Sequence, residues 1–140
     1  MNVGIPASRR DLLARSLPGV LTTMLPDGHP QSSLMWVDYD GEWACVNATR
    51  QQQKGRNMQL NPKVSLLVVD PADTGRYLQS RGDAELLEES ALDHLDQLTR
   101  KYTRHRTYYR CVSPPEQQVL EMRVICRIRA RAITCDAIHH

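Results

Sequence analysis

The segment 46–57 carries the residues whose types and spacing are best suited to a chemical role. A strand pattern ends here in a polar stretch, and a helix that begins there presents unsatisfied backbone N–H groups and about half a positive charge. Side-chain hydrogen-bond donors surround this helix start, namely Asn47, Thr49, Arg50, Lys54 and Arg56. A phosphate site requires such donors, so we predict an anion site. The alternative is a solvated polar helix, because charged runs usually face water.

A second candidate segment, 29–36, lies earlier in the chain. Ser32 and Ser33 follow Gln31 in a strand pattern. Small hydroxyl side chains in a strand leave room for a flat ligand, and they allow backbone N–H and C=O groups to reach the polar edge of a ring. The alternative interpretation is a plain strand with one polar face.

One short helix and three strands are predicted in the first half of the chain. Ser8 and Asp11 have the spacing of a capping box, and the helix that they begin ends at Pro18-Gly19. The strands are Val20–Leu25, Gln31–Tyr39 and Glu42–Asn47. Because they are short and joined by tight turns, we expect them to pair antiparallel in sequence order.

Two further helices and three strands are predicted in the remainder. Thr49 is expected to cap a helix that ends at Leu60, and Ser90 to cap one whose apolar stripe includes Leu95 and Leu98. The strands are Val64–Val69, Arg76–Leu87 with a bulge at Gly82, and Val119–Thr134, in which apolar residues alternate with arginines.

This order of elements predicts a fold of the mainly β (α+β) class. Helices interrupt an antiparallel series of strands instead of alternating strictly with them, which argues against a Rossmann fold. We expect a six-stranded antiparallel split β-barrel with two to three short helices. The length of 140 residues suits a single domain over residues 1–140.

Composition excludes several classes of function. The net charge is +2, no stretch approaches the roughly 20 apolar residues of a membrane helix, and the first six residues lack the pattern of a secretory signal. We therefore expect a cytoplasmic protein without membrane contact. The cysteines lack CxxC spacing, so no metal site is expected.

No familiar catalytic motif (HExxH, GxSxG, GxGxxG or P-loop) is present. His94 and His105 are candidate proton donors, and the amphipathic pattern around His94 predicts a surface position. An arginine stripe on the last predicted strand offers a nucleic-acid interface as one hypothesis; its members are Arg123, Arg127, Arg129 and Arg131. A solvated strand face is favoured instead, because the near-neutral charge lacks the basic footprint of nucleic-acid binders. We expect no nucleic-acid partner.

Taken together, the motifs resemble the pyridoxamine 5'-phosphate oxidase-like FMN-binding split barrels, and most closely their actinobacterial branch described as dependent on coenzyme F420. The resemblance spans most of the chain. It is carried by Gly28-x-Pro30, the Gln31–Trp36 strand, Asp40-Gly41, Asn47-Ala48-Thr49, Lys54-Gly55-Arg56-Asn57, Asn61-Pro62-Lys63-Val64-Ser65-Leu66, Arg76-Tyr77-Leu78, Gly82-x-Ala84 and Arg123-Val124-Ile125-Cys126-Arg127-Ile128.

The resemblance implies a homodimer with the cofactor in a groove between the subunits. Lys54 would contact the cofactor phosphate, Asn47 and Thr49 would lie nearby, and Gln31 with its two serines would line the ring. The full set of implied cofactor-binding residues is Gln31, Ser32, Ser33, Asn47, Thr49, Arg50, Lys54, Gly55, Arg56 and Tyr77. Residues around Tyr77, and the basic loop near Tyr108, Tyr109 and Arg110, would reach the site of the partner subunit.

Coenzyme F420 is the expected cofactor, and FMN is the alternative. FMN-binding members usually have Arg where Gln31 stands and Ser in the loop before the lysine, where this chain has glutamines at 51–53. The expected function is hydride transfer from F420H2 to a small conjugated substrate such as an enone, quinone or tetrapyrrole. An FMN-dependent oxidoreductase of the same fold and a non-catalytic carrier of the cofactor remain the alternatives, and no catalytic residue is assigned.

Overall fold

Seven β-strands form one antiparallel sheet in the computed structural model, which describes residues 3–136. The strands are β1 (Gly19–Met24), β2 (Pro30–Met35), β3 (Asp38–Tyr39), β4 (Ala44–Thr49), β5 (Lys63–Val69), β6 (Arg76–Leu87) and β7 (Arg123–Asp136). Their order across the sheet is β2-β1-β5-β6-β7-β4-β3. The strands predicted from sequence thus pair antiparallel, as expected.

The two edge strands, β2 and β3, are neighbours along the chain. Only Trp36 and Val37 separate them, and the three steps from Met35 to Asp38 span about 11 Å at most. The sheet must therefore curl until its edges approach each other, which makes a half-barrel. Because β3 has only two residues, the split lies between β2 and β4 along most of its length. The predicted mainly β class is confirmed, with seven strands instead of six.

The additional strand arises because the predicted strand Gln31–Tyr39 is interrupted at Val37. The Val37 N–H donates to the Tyr102 hydroxyl at 2.9 Å, and the Val37 C=O accepts a bond from the Lys101 ammonium at 2.6 Å. The Val37 side chain is fully buried. These side-chain bonds replace the ladder bonds that a continuous strand would make at this residue.

Three α-helices flank the sheet, and none begins with the side-chain cap predicted for it. They are α1 (Arg10–Ala14), α2 (Gln53–Leu60) and α3 (Ala91–Tyr102), with 3₁₀ turns at Ala7–Arg9 and Pro115–Leu120. Asp11 bonds to Arg76 instead of capping α1, and Ser90 adopts a left-handed backbone with φ of 63°. No helix in the described part is long and apolar enough to cross a bilayer.

The core lies on the concave face of the curled sheet. The β7 alternation is confirmed, because Val124, Cys126, Ile128 and Ala130 are each fully buried. Burial of one such aliphatic side chain contributes roughly 1.5–3 kcal/mol. The strand begins at Arg123 and not at Val119, because the 3₁₀ turn that starts at Pro115 leaves Val119 87% exposed.

Gly82 forms the predicted irregularity in β6. The pairing of β6 with β7 shifts register between Arg81 and Gly82. A Cβ atom at Gly82 would lie 2.0 Å from the Arg129 carbonyl oxygen, so only glycine permits this close approach of the two strands.

Candidate functional site

A cavity of about 250 Å³ lies at the split between β2 and β4. Its walls come from the end of β2, from β4, from the start of α2, from α3 and from the loop before β7. The lining residues are Leu34, Met35, Trp36, Asn47, Gln52, Lys54, Leu95, Leu98, Tyr108, Val112 and Arg123. Seven of these residues are apolar or aromatic, and the polar ones are Asn47, Gln52, Lys54 and Arg123.

The connection between β4 and α2 positions two of the polar lining residues, Gln52 and Lys54. The Gln52 N–H donates to Thr49 Oγ1 at 3.0 Å, and the Thr49 N–H donates to Gln52 Oε1 at 3.1 Å. This reciprocal pair closes a turn before the helix, so α2 begins at Gln53 and not at Thr49 as predicted. A Cβ atom at Gly55 would lie 1.9 Å from the Thr49 carbonyl oxygen, so Gly55 allows the helix to pack directly on the strand end.

Lys54 carries the unbalanced charge of the cavity. Its side chain is half-buried, and none of the residues 3–136 provides it with a hydrogen bond or an ion pair. Burial, together with repulsion from Arg123, lowers the pKa of the Lys54 ammonium. An anionic group that entered the cavity would relieve both effects.

Arg123 lies across from Lys54 and is held by its neighbours. Its side chain is only 10% exposed and lies 3.5 Å from the Glu121 carboxylate. Its Nε donates to the Tyr109 hydroxyl at 3.0 Å, and its guanidinium lies 4.7 Å from the centre of the Tyr108 ring. These contacts fix the guanidinium at the cavity wall.

Asn47 is the buried polar group of the β4 wall. Its Nδ2 donates to the Ala91 carbonyl at 2.8 Å and lies 3.2 Å from Nδ1 of His94, while its Oδ1 is buried without a partner in the described part of the chain. His94 is only 8% exposed, so the prediction that it lies at the surface is wrong. It faces β4 because α3 packs its polar histidine, as well as its leucines, against the sheet.

An aromatic group forms the wall opposite β4. Trp36 stacks on Tyr102 with ring centres 5.5 Å apart, and it meets Tyr108 edge-on at 6.3 Å. Such pairs hold each other's orientation, so this wall is preformed, and its Tyr108 ring contacts the Arg123 guanidinium.

The family model described as pyridoxamine 5'-phosphate oxidase matches residues 5–134. The chain belongs to the pyridoxamine 5'-phosphate oxidase family. A solved structure named F420 reductase is 34% identical over 93% of this chain and 98% of that chain, with a TM-score of 0.77. The conserved hypothetical protein Rv2991 from Mycobacterium tuberculosis is 28% identical over 96% of this chain and 86% of its own, with a TM-score of 0.74.

More distant solved structures share the fold alone. General Stress Protein 26 from Bacillus anthracis is 21% identical over 90% of this chain and 88% of its own, with a TM-score of 0.61. No curated protein matches the sequence significantly. The family assignment confirms the resemblance noted from the motifs.

In the present chain, the structure brings together only some of the residues predicted for the site. Asn47 and Lys54 line the cavity, while Thr49 and Gly55 build the turn that positions them. Arg50 instead donates to Glu88 at 3.0 Å.

Arg56 lies on the exposed side of α2 and away from the cavity lining. It bonds to the Gln51 carbonyl and to Gln53 Oε1.

The ring-lining residues predicted on β2 lie next to the cavity lining and not in it. Gln31 Oε1 accepts a bond from Asn57 at 3.3 Å, and the Ser32 and Thr22 hydroxyls are 2.9 Å apart. Ser33 is half-buried. Tyr77 bonds to the Asp136 carbonyl at the far end of the sheet.

Several lining residues were missed by the sequence analysis. Arg123 was counted with the solvated arginines of the last strand, and Tyr108 was assigned to a basic loop. The signal for Arg123 was its place at the start of β7, where it pairs with Thr49 of β4. The sequence also indicates a role for Gln52, because it follows the polar Thr49 by three residues, which is the spacing of a turn.

Two larger grooves lie on the convex face of the sheet. One, of about 730 Å³, crosses β1, β5, β6 and β7. The other, of about 330 Å³, is lined by Leu17, Pro18, Val20, Leu34, Leu67, Val69 and Pro71. Neither contains Lys54 or Asn47, so the smaller cavity at the split is the candidate cofactor site.

Proposed function

We propose that this chain is an F420H2-dependent oxidoreductase that passes a hydride to a small conjugated substrate such as an enone, quinone or tetrapyrrole. The observation that carries this proposal is the half-buried Lys54 ammonium, which has no partner in residues 3–136 and is placed to bind an anionic group. Membership in the pyridoxamine 5'-phosphate oxidase family supports a flavin-type cofactor.

The residues present fit an anionic, ring-bearing coenzyme. Lys54 and Arg123 would hold its phosphate through charge-assisted hydrogen bonds, and Asn47 would meet a polar edge. Trp36 and Tyr108 offer apolar surface to a ring or to the substrate. The bound coenzyme would supply the hydride, while these residues position it and exclude water.

The remaining predicted residues have supporting roles in this proposal. Thr49 and Gly55 hold the turn that presents Lys54, and Gln31, Ser32 and Ser33 form the strand beside the ring. Arg50 and Arg56 lie outside the cavity lining, and they would favour a polyanionic tail by attraction at longer range. Tyr77 would act on the site of a partner subunit.

F420 is favoured over FMN because a solved structure named F420 reductase is 34% identical to this chain. The glutamines at 51–53, where FMN-binding members usually have Ser, point the same way. An FMN-dependent oxidoreductase is the second candidate, and a carrier without a substrate of its own is the third.

We further propose a homodimer formed through the convex face of the sheet. Leu34 is 76% exposed. It lines both the cavity at the split and the groove of about 330 Å³ on the convex face. The cavity of about 250 Å³ is smaller than the roughly 300–1,000 Å³ of a typical ligand pocket, so a second copy on the groove would complete it.

Leu34→Glu would place a charge in the proposed dimer interface. We expect light scattering to show a dimer for the wild-type protein and a monomer for this variant. A wild-type monomer at working concentration would contradict the dimer.

The function is tested by titrating the purified protein with F420 and with FMN side by side, monitored by fluorescence. We expect tighter binding of F420, followed by turnover of F420H2 with at least one member of a panel of quinones, enones and biliverdin. Tighter binding of FMN would favour the second candidate. Binding of F420 without any turnover would favour the carrier, and absence of binding by both would refute the proposal.

A further inference from the structure

A chain of polar groups, of which His94 and Asn47 are buried, runs from β3 through α3 to the wall of the cavity. Oδ2 of Asp38 lies 3.5 Å from Nε2 of His94, and Nδ1 of His94 lies 3.2 Å from Nδ2 of Asn47. The first contact is too long for a strong hydrogen bond and acts mainly as a charge–dipole attraction. The chain ends at Oδ1 of Asn47, which is buried and has no partner in the described residues.

The hydrogen-bond partners determine which way the Asn47 amide faces. The Ala91 carbonyl can only accept, so the Asn47 atom that lies 2.8 Å from it must be the NH₂ group. The same NH₂ group then donates to His94, which requires an unprotonated Nδ1. Neutral His94 must therefore carry its proton on Nε2, the nitrogen that faces Asp38.

Asn47 Oδ1 is the acceptor at the cavity wall that this arrangement leaves for a ligand. The other buried side-chain atom of these polar groups without a hydrogen-bond partner in the described residues, Nε2 of His94, faces Asp38 instead. Asn47 is only 7% exposed and lines the cavity, and a buried acceptor without a partner is costly. An N–H or O–H group of a bound molecule would satisfy it.

We propose that His94 is a positioning residue, held by Asp38, that locks the Asn47 amide so that its Oδ1 accepts a hydrogen bond from the coenzyme. This inference rests on the proposed function, since the coenzyme supplies the donor.

The Asp38 carboxylate favours an N–H group on the nitrogen that faces it, which is Nε2 of His94. Although burial opposes it, the attraction to His94 and a hydrogen bond from the Tyr39 backbone hold the pKa of Asp38 below its usual value. Lys101 and Tyr102 of α3 and Cys45 of β4 interact electrostatically with Asp38. Within residues 3–136, no hydrogen bond or ion pair links β7 to His94.

Protonation of His94 would reverse the arrangement. An Nδ1–H group would face the NH₂ group of Asn47, two donors would meet, and the amide would have to turn. Its bond to Ala91 would be lost and its Oδ1 would leave the coenzyme. Affinity should therefore fall at acid pH.

The first test needs no ligand. Long-range ¹H–¹⁵N NMR on the full chain identifies the tautomer of His94. We expect the Nε2–H form at pH 8, with the Asn47 side-chain amide signals shifting as His94 titrates. An Nδ1–H tautomer, or amide signals that ignore the titration, would overturn the inference whether or not a coenzyme binds.

The second test measures the affinity for F420 and for FMN between pH 5 and pH 8. His94→Asn keeps an acceptor for Asn47 and cannot titrate, so it should bind nearly as well as wild type and lose the acid weakening. His94→Leu removes the acceptor and should bind about 10-fold more weakly, the effect of one hydrogen bond. His105→Gln, at an exposed position, is the matched control and should keep the wild-type pH profile.

The outcomes separate this inference from the proposed function. If wild type binds neither coenzyme, the proposed function fails, and the tautomer still decides whether His94 orients the Asn47 amide. If wild type binds and His94→Asn retains the acid weakening, the positioning role is refuted. Should His94→Leu not fold, the pH profile of His94→Asn gives the decision.

Discussion

Lys54 and Arg127 are both cations beside the curled sheet, but their charges are balanced very differently. Arg127 lies within ion-pair distance of Asp40, Glu42 and Glu85, and its guanidinium lies 4.6 Å from the centre of the Trp43 ring. Lys54 has no such partner in residues 3–136.

The difference separates a structural charge from one that is available to a ligand. The partners of Arg127 come from the turn between β3 and β4 and from β6, so its ion pairs tie neighbouring parts of the sheet together. Two other members of the arginine stripe are also paired, since Arg131 bonds to Asp83 and Arg123 to Glu121. This pairing disfavours a nucleic-acid interface on that face.

The largest expected effect comes from the glycine that brings Lys54 to the cavity. Gly55→Ala would force a Cβ atom against the Thr49 carbonyl, and overpacking of this kind costs about 3 kcal/mol. We expect a matching loss in the free energy of unfolding, measured with urea, and loss of coenzyme binding. Gly4→Ala is the control, because a Cβ there meets nothing within 4 Å. Equal stability of the two variants would show that α2 packs elsewhere.

Lys54→Ala should give the next largest effect, and on binding alone. Loss of a charge-assisted hydrogen bond to the coenzyme phosphate should weaken affinity by about 1–3 kcal/mol. The free energy of unfolding should stay the same or rise slightly, because the variant removes an unbalanced half-buried cation. Arg56→Ala on the same helix is the matched control and should weaken F420 binding less. Equal losses of affinity in the two variants would indicate that Lys54 acts through long-range electrostatic attraction and not through a direct contact with the phosphate.

Arg127→Ala should show the opposite pattern. Loss of its ion pairs and of its contact with Trp43 should lower the free energy of unfolding by about 1 kcal/mol, while coenzyme affinity stays at the wild-type value. Urea titration and fluorescence titration on the same preparation measure both. A loss of affinity that exceeds the loss of stability would remove the distinction between the two regions.

The smallest expected effect is the acid dependence of the Arg127 cluster. Burial opposes ionisation of Asp40, but bonds from the Trp43 and Glu42 backbones and from Arg127 hold its pKa below the usual 3.8. Between the folded pKa and 3.8, the unfolded chain binds more protons, so stability is present above pH 4 and falls as the pH drops. Urea midpoints from pH 5 to pH 2 should fall less steeply in Arg127→Ala than in wild type. Parallel curves would contradict this role of Arg127.

Much of the fold was predictable from local pattern. The bounds of β6 and the alternation of β7 follow from apolar periodicity, and Gly82 marked the bulge, because these signals lie within one strand. The break at Val37 could not be predicted, since it depends on Tyr102 and Lys101, more than sixty residues away.

The site was predictable in part for the same reason. Lys54 and Asn47 stand in a continuous donor-rich segment, so the sequence alone singled them out. Arg123 and His94 acquire their positions only through packing, and a strand arginine or a helix histidine gives no local sign of the wall that it will face. A helix-cap prediction was wrong where a distant residue bonded to the capping side chain instead, as Arg76 does to Asp11.

The most direct test of the account is a crystal structure of the protein with F420 bound. We predict a phosphate oxygen about 2.8 Å from Nζ of Lys54, the distance of a charge-assisted hydrogen bond, with Arg123 on the other side of the anion. A coenzyme phosphate bound elsewhere, with Lys54 turned into solvent, would contradict the central claim.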